Sequence, residues 1–146
     1  MTDFRLSPHF GFYELTATTR AEFALENRKQ GLYFTAPLAL LCREVLEPAR
    51  AALGAPLAVH SGFRCAGLNC AVGGAPNSAH LKGLAADFHA CGMSVEAAFA
   101  VLAKSAVPFD ALILETAVRG AAVVRWLHIA CAPENPRRLT LRKTAA

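Results

Sequence analysis

Apolar residues recur at three- and four-residue intervals between positions 36 and 53, and this spacing predicts one amphipathic helix. Thr35 is placed to act as its N-cap, and Pro37 falls early in the helix, where a missing N–H costs little. Pro48 lies inside the pattern and predicts a kink. Gly54 then ends the predicted helix.

Two other segments have helical character. One lies around residues 18–27. The other is capped by Ser94, and its apolar residues are spaced to form one buried stripe, which contains Val95, Ala98, Phe99 and Leu102.

Short apolar segments bounded by turn residues predict strands later in the chain, over residues 57–61, 84–89, 111–115, 123–130 and 139–142. The Gly-, Asn- and Pro-rich stretch 62–79 is predicted to be an irregular loop, long enough to be functional. Helices first and antiparallel strands later are typical of an α+β domain. We expect one small domain over residues 1–146, with helices packed on an antiparallel sheet.

The composition agrees with one globular domain. The chain has 146 residues, of which 54% are hydrophobic and 18% charged, and this balance excludes a disordered chain. No apolar run reaches the roughly 18 residues that cross a bilayer, so no membrane association is expected. The first residues lack the charged and apolar regions of a secretion signal, which predicts synthesis as a soluble cytoplasmic protein.

The formal net charge is +4, and several cations cluster near the C-terminus: Arg137, Arg138, Arg142 and Lys143. Such a patch can attract an anionic polymer, either nucleic acid or the phosphate-rich bacterial wall. No nucleic-acid motif with interleaved aromatic residues accompanies it. We therefore favour a solvated terminal strand, and a nucleic-acid partner is not expected.

The cysteines are odd in number, five in all, and form no Cys-x-x-Cys pair. Buried free thiols are the favoured prediction in a chain without a secretion signal. A zinc site or a disulfide formed by Cys65 and Cys70 is a weaker alternative, since no second pair matches their spacing.

Two imidazoles and one carboxylate stand in apolar surroundings and form a candidate metal site: His80, Asp87 and His128. A buried aspartate in an apolar strand is costly unless its charge is paired or bound to metal. Gly83 can supply the turn that lets His80 and Asp87 converge. Three protein ligands with a fourth position left for water are what a catalytic zinc requires. The alternative is that Asp87 pairs with Arg64 or Lys82 while the histidines only satisfy hydrogen bonds.

Motifs around these residues resemble a known family. Residues 78–88, Ser-Ala-His-Leu-Lys-Gly-Leu-Ala-Ala-Asp-Phe, resemble the SxHxxGxAxD signature of the zinc D-Ala-D-Ala carboxypeptidase family. Residues 61–64, Ser-Gly-Phe-Arg, resemble its SGYR element, and residues 72–78 resemble the VGG-x-x-x-S stretch of its phage- and prophage-associated branch. The start of the chain, with Ser-Pro-His-Phe at 7–10 and Tyr-Glu-Leu-Thr at 13–16, is also similar to that branch.

The resemblance implies the small α+β fold shared by D,D-peptidases and the Hedgehog signalling domain. It implies that His80, Asp87 and His128 bind one Zn²⁺ ion. It also implies that Arg64 holds a carboxylate or carbonyl oxygen of the substrate, and that Ser78 donates or accepts a substrate hydrogen bond. The expected substrates are the stem peptides of bacterial peptidoglycan, reached through phage lysis or another carrier, and the expected form is a monomer.

The general base departs from the family pattern. Several relatives have a glutamate three residues before the last zinc histidine, but this chain has Arg125 there. Glu115, at the end of the preceding strand, is the favoured replacement, and Asp110 is the fallback. If residues 116–122 form a tight hairpin, Glu115 lies about 15 Å from His128 along the strand. A longer loop would bring it beside Trp126 and the metal.

Two function classes remain open from the sequence. A zinc peptidase would cleave either D-Ala-D-Ala ends or L-Ala-D-Glu bonds, with zinc-activated water as the nucleophile. A zinc-stabilised module that binds cell wall, or serves as a phage structural part, would need no base, and Arg125 supports that alternative. Two histidines and one carboxylate can also hold iron(II). His60 and His89 are either partners of the metal ligands or structural histidines.

Overall fold

The strands after residue 56 build one five-stranded sheet in the computed structural model, which describes residues 1–145. The strand order is β3-β4-β6-β5-β7, and the strands span Leu57–Ser61, Ala85–Ala90, Ala122–Ala130, Ala111–Arg119 and Leu139–Ala145 in that order. A small two-stranded sheet of β1, Arg5–Ser7, and β2, Phe10–Gly11, precedes them. All five predicted strand segments are therefore present, and the two around residue 120 are longer than predicted.

The sheet is mixed, whereas the sequence predicted an antiparallel one. Neighbours among β3, β4, β6 and β5 are antiparallel, but β7 runs parallel to β5, with Ala111 beside Leu139. β6 ends beside Ala111, at the start of β5, and residues 131–138 pass this end of β5 to reach its other side. β7 therefore begins at the same end of the sheet as β5 and runs parallel to it. The α+β class itself is confirmed.

The helices come mostly before the sheet. They are α1, Phe12–Thr16, α2, Ala24–Gly31, α3, Thr35–Leu41, α4, Glu47–Leu53, α5, Ala66–Ala71, and α6, Val95–Ala103. Short 3₁₀ turns at Ala21–Phe23, Leu32–Phe34 and Ala79–Lys82 lead into or join these elements. The helix predicted around 18–27 thus begins later than expected, at the 3₁₀ turn, and continues to Gly31.

The predicted helix 36–53 is continuous but changes its winding. A π-helical turn, Cys42–Leu46, joins α3 to α4, and the Glu47 N–H bonds to the Cys42 carbonyl five residues back. Pro48 follows at the start of α4, where its missing N–H is tolerated. Gly54 ends α4 with φ +62°, as predicted. Thr35 as N-cap was wrong, because a 3₁₀ turn runs directly into α3 and the Thr35 hydroxyl donates to the Leu32 carbonyl instead.

Two other local predictions have opposite outcomes. Ser94 caps α6 as expected, and its hydroxyl accepts a hydrogen bond from the Ala97 N–H at 3.1 Å. The stretch 62–79 contains the helix α5, although no regular element was predicted there. The Asn27 side chain, distant in sequence, accepts a 2.7 Å hydrogen bond from the Cys65 N–H just before that helix. Such a tertiary contact has no local sequence signal.

The hydrophobic core lies between the helices and one face of the sheet. Fully buried side chains from both layers meet there, among them Leu15, Leu38, Leu41, Leu46, Phe88, Leu102, Leu112 and Leu127. Alternate residues of the same strands therefore lie on the opposite face. That second face, called the site face below, carries Asp87, Ile113 and His128, which are neighbours across β4, β6 and β5. Within residues 1–145, no helix has the length and apolar character that a membrane crossing needs.

The cysteines and the basic tail only partly follow the sequence prediction. All five thiols are free; Cys42, Cys65 and Cys131 are buried, but Cys70 and Cys91 are exposed. The tail forms the predicted strand, and its arginines bind neighbours. Arg137 pairs with Asp110, Arg142 pairs with Glu96, and Arg138 donates to the Ser105 carbonyl. Much of the tail's positive charge is thus used in holding β7 to the domain.

Candidate metal centre

Three side chains from three elements meet on the site face. His80 comes from the 3₁₀ turn before β4, Asp87 from β4, and His128 from the neighbouring strand β6, where it lies directly opposite Asp87. One ligand atom from each lies within 4.8 Å of the others. His80 and Asp87 are buried, and His128 is half-buried. The structure therefore brings together the three residues that the sequence singled out.

The turn that carries His80 is fixed at both ends. The Ser78 hydroxyl accepts a hydrogen bond from the His80 N–H at 3.2 Å. Gly83 ends the turn with φ +69°, a left-handed conformation that favours glycine, as the sequence predicted. The chain thereby reverses and enters β4, so that His80 and Asp87 converge across a gap of seven residues.

Hydrogen bonds decide which imidazole nitrogens face the centre. His80 Nδ1 lies 2.7 Å from the Gly62 carbonyl oxygen, which can only accept, so Nδ1 carries the proton in the neutral ring. Its unprotonated Nε2 then lies 3.3 Å from Asp87 Oδ1. His128 Nδ1 lies 3.1 Å from the same oxygen. A carbonyl that holds the far nitrogen of an imidazole is the usual arrangement around a metal-binding histidine.

The Asp87 carboxylate is stabilised as an anion. Burial alone would raise its pKa, but the facing imidazoles of His80 and His128 outweigh burial and hold the pKa well below the usual range. The carboxylate is therefore ionised throughout the neutral range, which is the form that binds a metal ion.

Asp87 divides its partners between its two oxygens. Oδ1 faces both imidazoles, while Oδ2 accepts a 3.2 Å hydrogen bond from Nη2 of Arg64. The ion pair with Arg64 was the alternative to a metal site in the sequence analysis, and Arg64 rather than Lys82 makes it. Because the pair uses Oδ2, it leaves Oδ1 free to bind a metal, and the two interpretations are compatible.

The donor set fits a zinc ion. Two donors that each lie about 2.1 Å from a tetrahedral ion are about 3.4 Å apart. The two nitrogen-to-Oδ1 distances, 3.1 and 3.3 Å, are close to that separation. Two imidazoles and one carboxylate also match the His₂-carboxylate sets of catalytic zinc sites, which leave one position for water.

Glu115 lies on the site face next to this cluster. It is opposite Trp126, and Ile113, two residues earlier in β5, is opposite His128. Glu115 and His128 are therefore diagonal neighbours, with Cα atoms about 7–8 Å apart. The sequence left two alternatives for the connection after Glu115, a tight hairpin over 116–122 and a longer loop, and the structure has neither. The strands continue to a tight turn at Gly120, φ +64°, and the longer hairpin, not a longer loop, brings Glu115 beside Trp126.

The other two positions considered for the general base, Asp110 and the family's glutamate position at Arg125, lie away from the cluster. Asp110 binds Arg137 through both carboxylate oxygens, and this guanidinium holds the pKa of Asp110 below its usual value. Arg125 is opposite Thr116 and lies on the helix side of the sheet, away from His128. Glu115 is thus the candidate base that shares a face with the cluster.

Several residues in and around the site had no clear signal in the sequence. Asn69 is buried and bonds to Arg64, and Asn27 holds the Phe63–Cys65 segment through the Phe63 carbonyl and the Cys65 N–H. His60 and His89 contact each other, with His60 Nε2 2.7 Å from His89 Nδ1 and the rings stacked at 4.7 Å. Asparagine is usually exposed, so only the fold reveals the roles of these buried side chains.

Comparison with known proteins supports the resemblance. A search of curated proteins found no match. The family model for peptidase M15 matches residues 16–129, a range that contains His80, Asp87, Glu115 and His128. Because that match covers well over half of the sequence, the chain belongs to the peptidase M15 family.

Proposed function

We propose that the protein is a zinc-dependent peptidase that hydrolyses peptide bonds in the stem peptides of bacterial peptidoglycan. The observation that carries this proposal is the convergence of His80 Nε2 and His128 Nδ1 on one oxygen of Asp87, in a chain of the peptidase M15 family. The ligand spacing and the ionised carboxylate support zinc as the metal.

His80, Asp87 and His128 would hold the ion and leave one position open to solvent. A bound zinc ion lowers the pKa of its water towards about 7 and polarises a carbonyl oxygen. The carboxylate of Glu115, on the same face, would accept a proton from the attacking water. It would then pass that proton to the departing amine nitrogen. That proton transfer is the step that makes the amine a good leaving group.

Ser78 and Arg64 are the proposed substrate-binding groups. The Ser78 hydroxyl already accepts from the His80 N–H, and its own O–H remains able to donate to a substrate oxygen. The Arg64 guanidinium has five N–H groups, of which three point to Ser61, Asn69 and Asp87. Two remain for a carboxylate or carbonyl oxygen of the substrate, which would lie beside the metal.

Digestion of muropeptides and of short stem peptides tests the proposal. The zinc-loaded protein is expected to release a product whose mass identifies the bond: loss of one D-Ala indicates a carboxypeptidase, and a cut after L-Ala indicates an endopeptidase. A protein stripped with chelator serves as the control. If the zinc-loaded, folded protein yields no product from any of these substrates, the proposal fails and the binding module becomes the better interpretation.

A further inference from the structure

We propose that Asn69 and Gly74 are positioning elements for the metal site, and that they act through Arg64 on Asp87. The inference rests on the proposed metal centre, because its consequence is a property of that centre. It adds a second role for Arg64, as the group that fixes the orientation of a metal ligand.

Arg64 fixes the orientation of the Asp87 carboxylate. Its Nη2 donates to Oδ2, and both side chains are largely buried, with 12% of the Arg64 and 11% of the Asp87 side-chain surface exposed. A carboxylate held by one oxygen in this way presents its other oxygen, Oδ1, to the two imidazoles. Without the guanidinium the carboxylate could rotate about its last bond, and Oδ1 would no longer be fixed towards the metal position.

Asn69 holds Arg64 in turn. Its Oδ1 accepts from Arg64 Nη1 at 3.1 Å, and its Nδ2 donates to the Ala75 carbonyl at 3.0 Å. The amide therefore has one orientation that satisfies both partners. The Ala75 carbonyl also accepts from the Ser78 N–H, just before the turn that carries His80. Asn69 thus links the Asp87 side of the centre to the His80 side.

Gly74 leaves the space in which this link exists. A Cβ atom at Gly74 would overlap Asn69 Oδ1 and would lie 2.8 Å from Arg64 Nη1. Both of these side-chain atoms would have to move. The Gly74 N–H also donates to the Asn69 carbonyl at 2.8 Å. Close approach therefore favours glycine here, and a methyl group would displace the side chains of Asn69 and Arg64 together.

The expected consequence is a loss of metal affinity. Outer partners of metal ligands typically change affinity 10- to 100-fold when they are removed. We expect Asn69→Ala and Gly74→Ala to weaken Zn²⁺ binding by about that factor, measured by competition with a chelator of known affinity. Gly73→Asn is the matched control, because nothing lies within 4 Å of a Cβ there and asparagine tolerates its φ of +74°.

The outcomes separate three possibilities. Weaker zinc binding in the folded Asn69 and Gly74 variants, with the control unchanged, supports the positioning role. Zinc affinity within twofold of wild type, together with a raised KM for stem peptides, would overturn it and leave Arg64 as a substrate group only. If wild-type protein binds no zinc, the proposed function itself has failed.

Arg64→Lys covers the case in which the other variants do not fold. Lysine keeps the charge but cannot bond to Ser61, Asn69 and Asp87 at once. Zinc affinity lowered about tenfold or more in this variant supports orientation by the planar guanidinium. Full wild-type affinity would mean that charge alone is sufficient, and the positioning proposal would be wrong.

Discussion

The Asp87 carboxylate connects the two histidines of the candidate metal site to Arg64. Oδ1 of Asp87 faces His80 and His128, and Oδ2 faces Arg64. Burial of this anion without partners would cost several kcal/mol. The hydrogen bond from Arg64 to Oδ2 offsets part of that cost, and the proposed metal ion on Oδ1 would offset more. The same division explains why the ion pair in the structure does not compete with metal binding.

Glu115→Gln tests the general base at this level. We expect kcat on stem peptides to fall about 10²- to 10⁴-fold, because the amide cannot accept a proton from water. The zinc content should stay at the wild-type value, since Glu115 is not among the three clustered ligand residues. Elemental analysis and kinetics of the same sample measure both quantities.

An exposed glutamate provides the control for that substitution. Glu134→Gln should retain wild-type kcat, because Glu134 lies at the surface outside the cluster. If Glu115→Gln also retains wild-type kcat, Glu115 is not the base and the proton acceptor must be sought elsewhere.

Single residues were predicted well where their chemistry is unusual. A histidine, an aspartate and another histidine in apolar runs pointed to a cluster, and the structure forms one. The role of Asn69 could not be predicted, because it depends on a contact with Arg64 that only the folded loop creates. The use of Gly62's carbonyl to orient His80 is likewise invisible in the sequence.

Among the elements, the long helical segment Thr35–Leu53 also anchors the N-terminal sheet. Glu47 lies at the start of α4, and its carboxylate accepts from the Ser7 hydroxyl at 2.6 Å and from the His9 N–H at 2.7 Å. Its other oxygen lies 2.7 Å from His9 Nδ1. Burial opposes ionisation of Glu47, but these hydrogen bonds prevail and lower its pKa below the usual value.

The Glu47 contacts predict that the free energy of unfolding decreases at acidic pH, as Glu47 becomes protonated. A lowered folded-state pKa means that the stabilisation is complete above the unfolded-state pKa and is lost as pH falls through the folded-state value. We expect Glu47→Gln to reduce the free energy of unfolding at pH 7 by about 1–3 kcal/mol. The loss should shrink as pH falls below about 4, which urea denaturation at several pH values can measure.

Glu44→Gln is the matched control, since Glu44 is an exposed glutamate in the π-helical turn just before α4. It should leave stability nearly unchanged at every pH. Equal losses at pH 7 and pH 3 for the Glu47 variant would show that its charge does not stabilise the fold.

Element types were easier to predict than their ends and directions. Short apolar segments identified the strands, and apolar residues at three- and four-residue intervals identified the long helix, because burial of one face imposes such patterns. The hairpin ends were missed because its outer part, with Val118 and Val123 exposed, has no buried face to impose alternation. The parallel direction of β7 was missed because residues 131–138 contain no signal that fixes their path.

For the molecule as a whole, metal binding should stabilise the fold. His128 is more than forty residues from His80 and Asp87 in the sequence and meets them only through strand pairing, so the site exists only in the folded chain. A ligand at 100 times its Kd that binds only the folded state adds about 2.7 kcal/mol. For a chain of this size we expect zinc to raise Tm by about 5–10 °C, measured by calorimetry.

His128→Gln should remove most of that zinc-dependent rise in Tm, and His9→Gln should retain it, because His9 contacts Glu47 instead. A similar rise in all three proteins would mean that zinc binds outside the proposed centre. The same experiment with iron(II) compares the two metals that this donor set can hold.

Zinc titration of metal-free protein, followed by hydrolysis of a stem peptide, tests the metal peptidase most directly. Activity should be absent without metal, rise in proportion to added zinc and reach its maximum at one equivalent per chain. Hydrolysis that is complete without metal, or a protein that binds one zinc ion and remains inactive on every stem peptide, would contradict the proposed zinc peptidase.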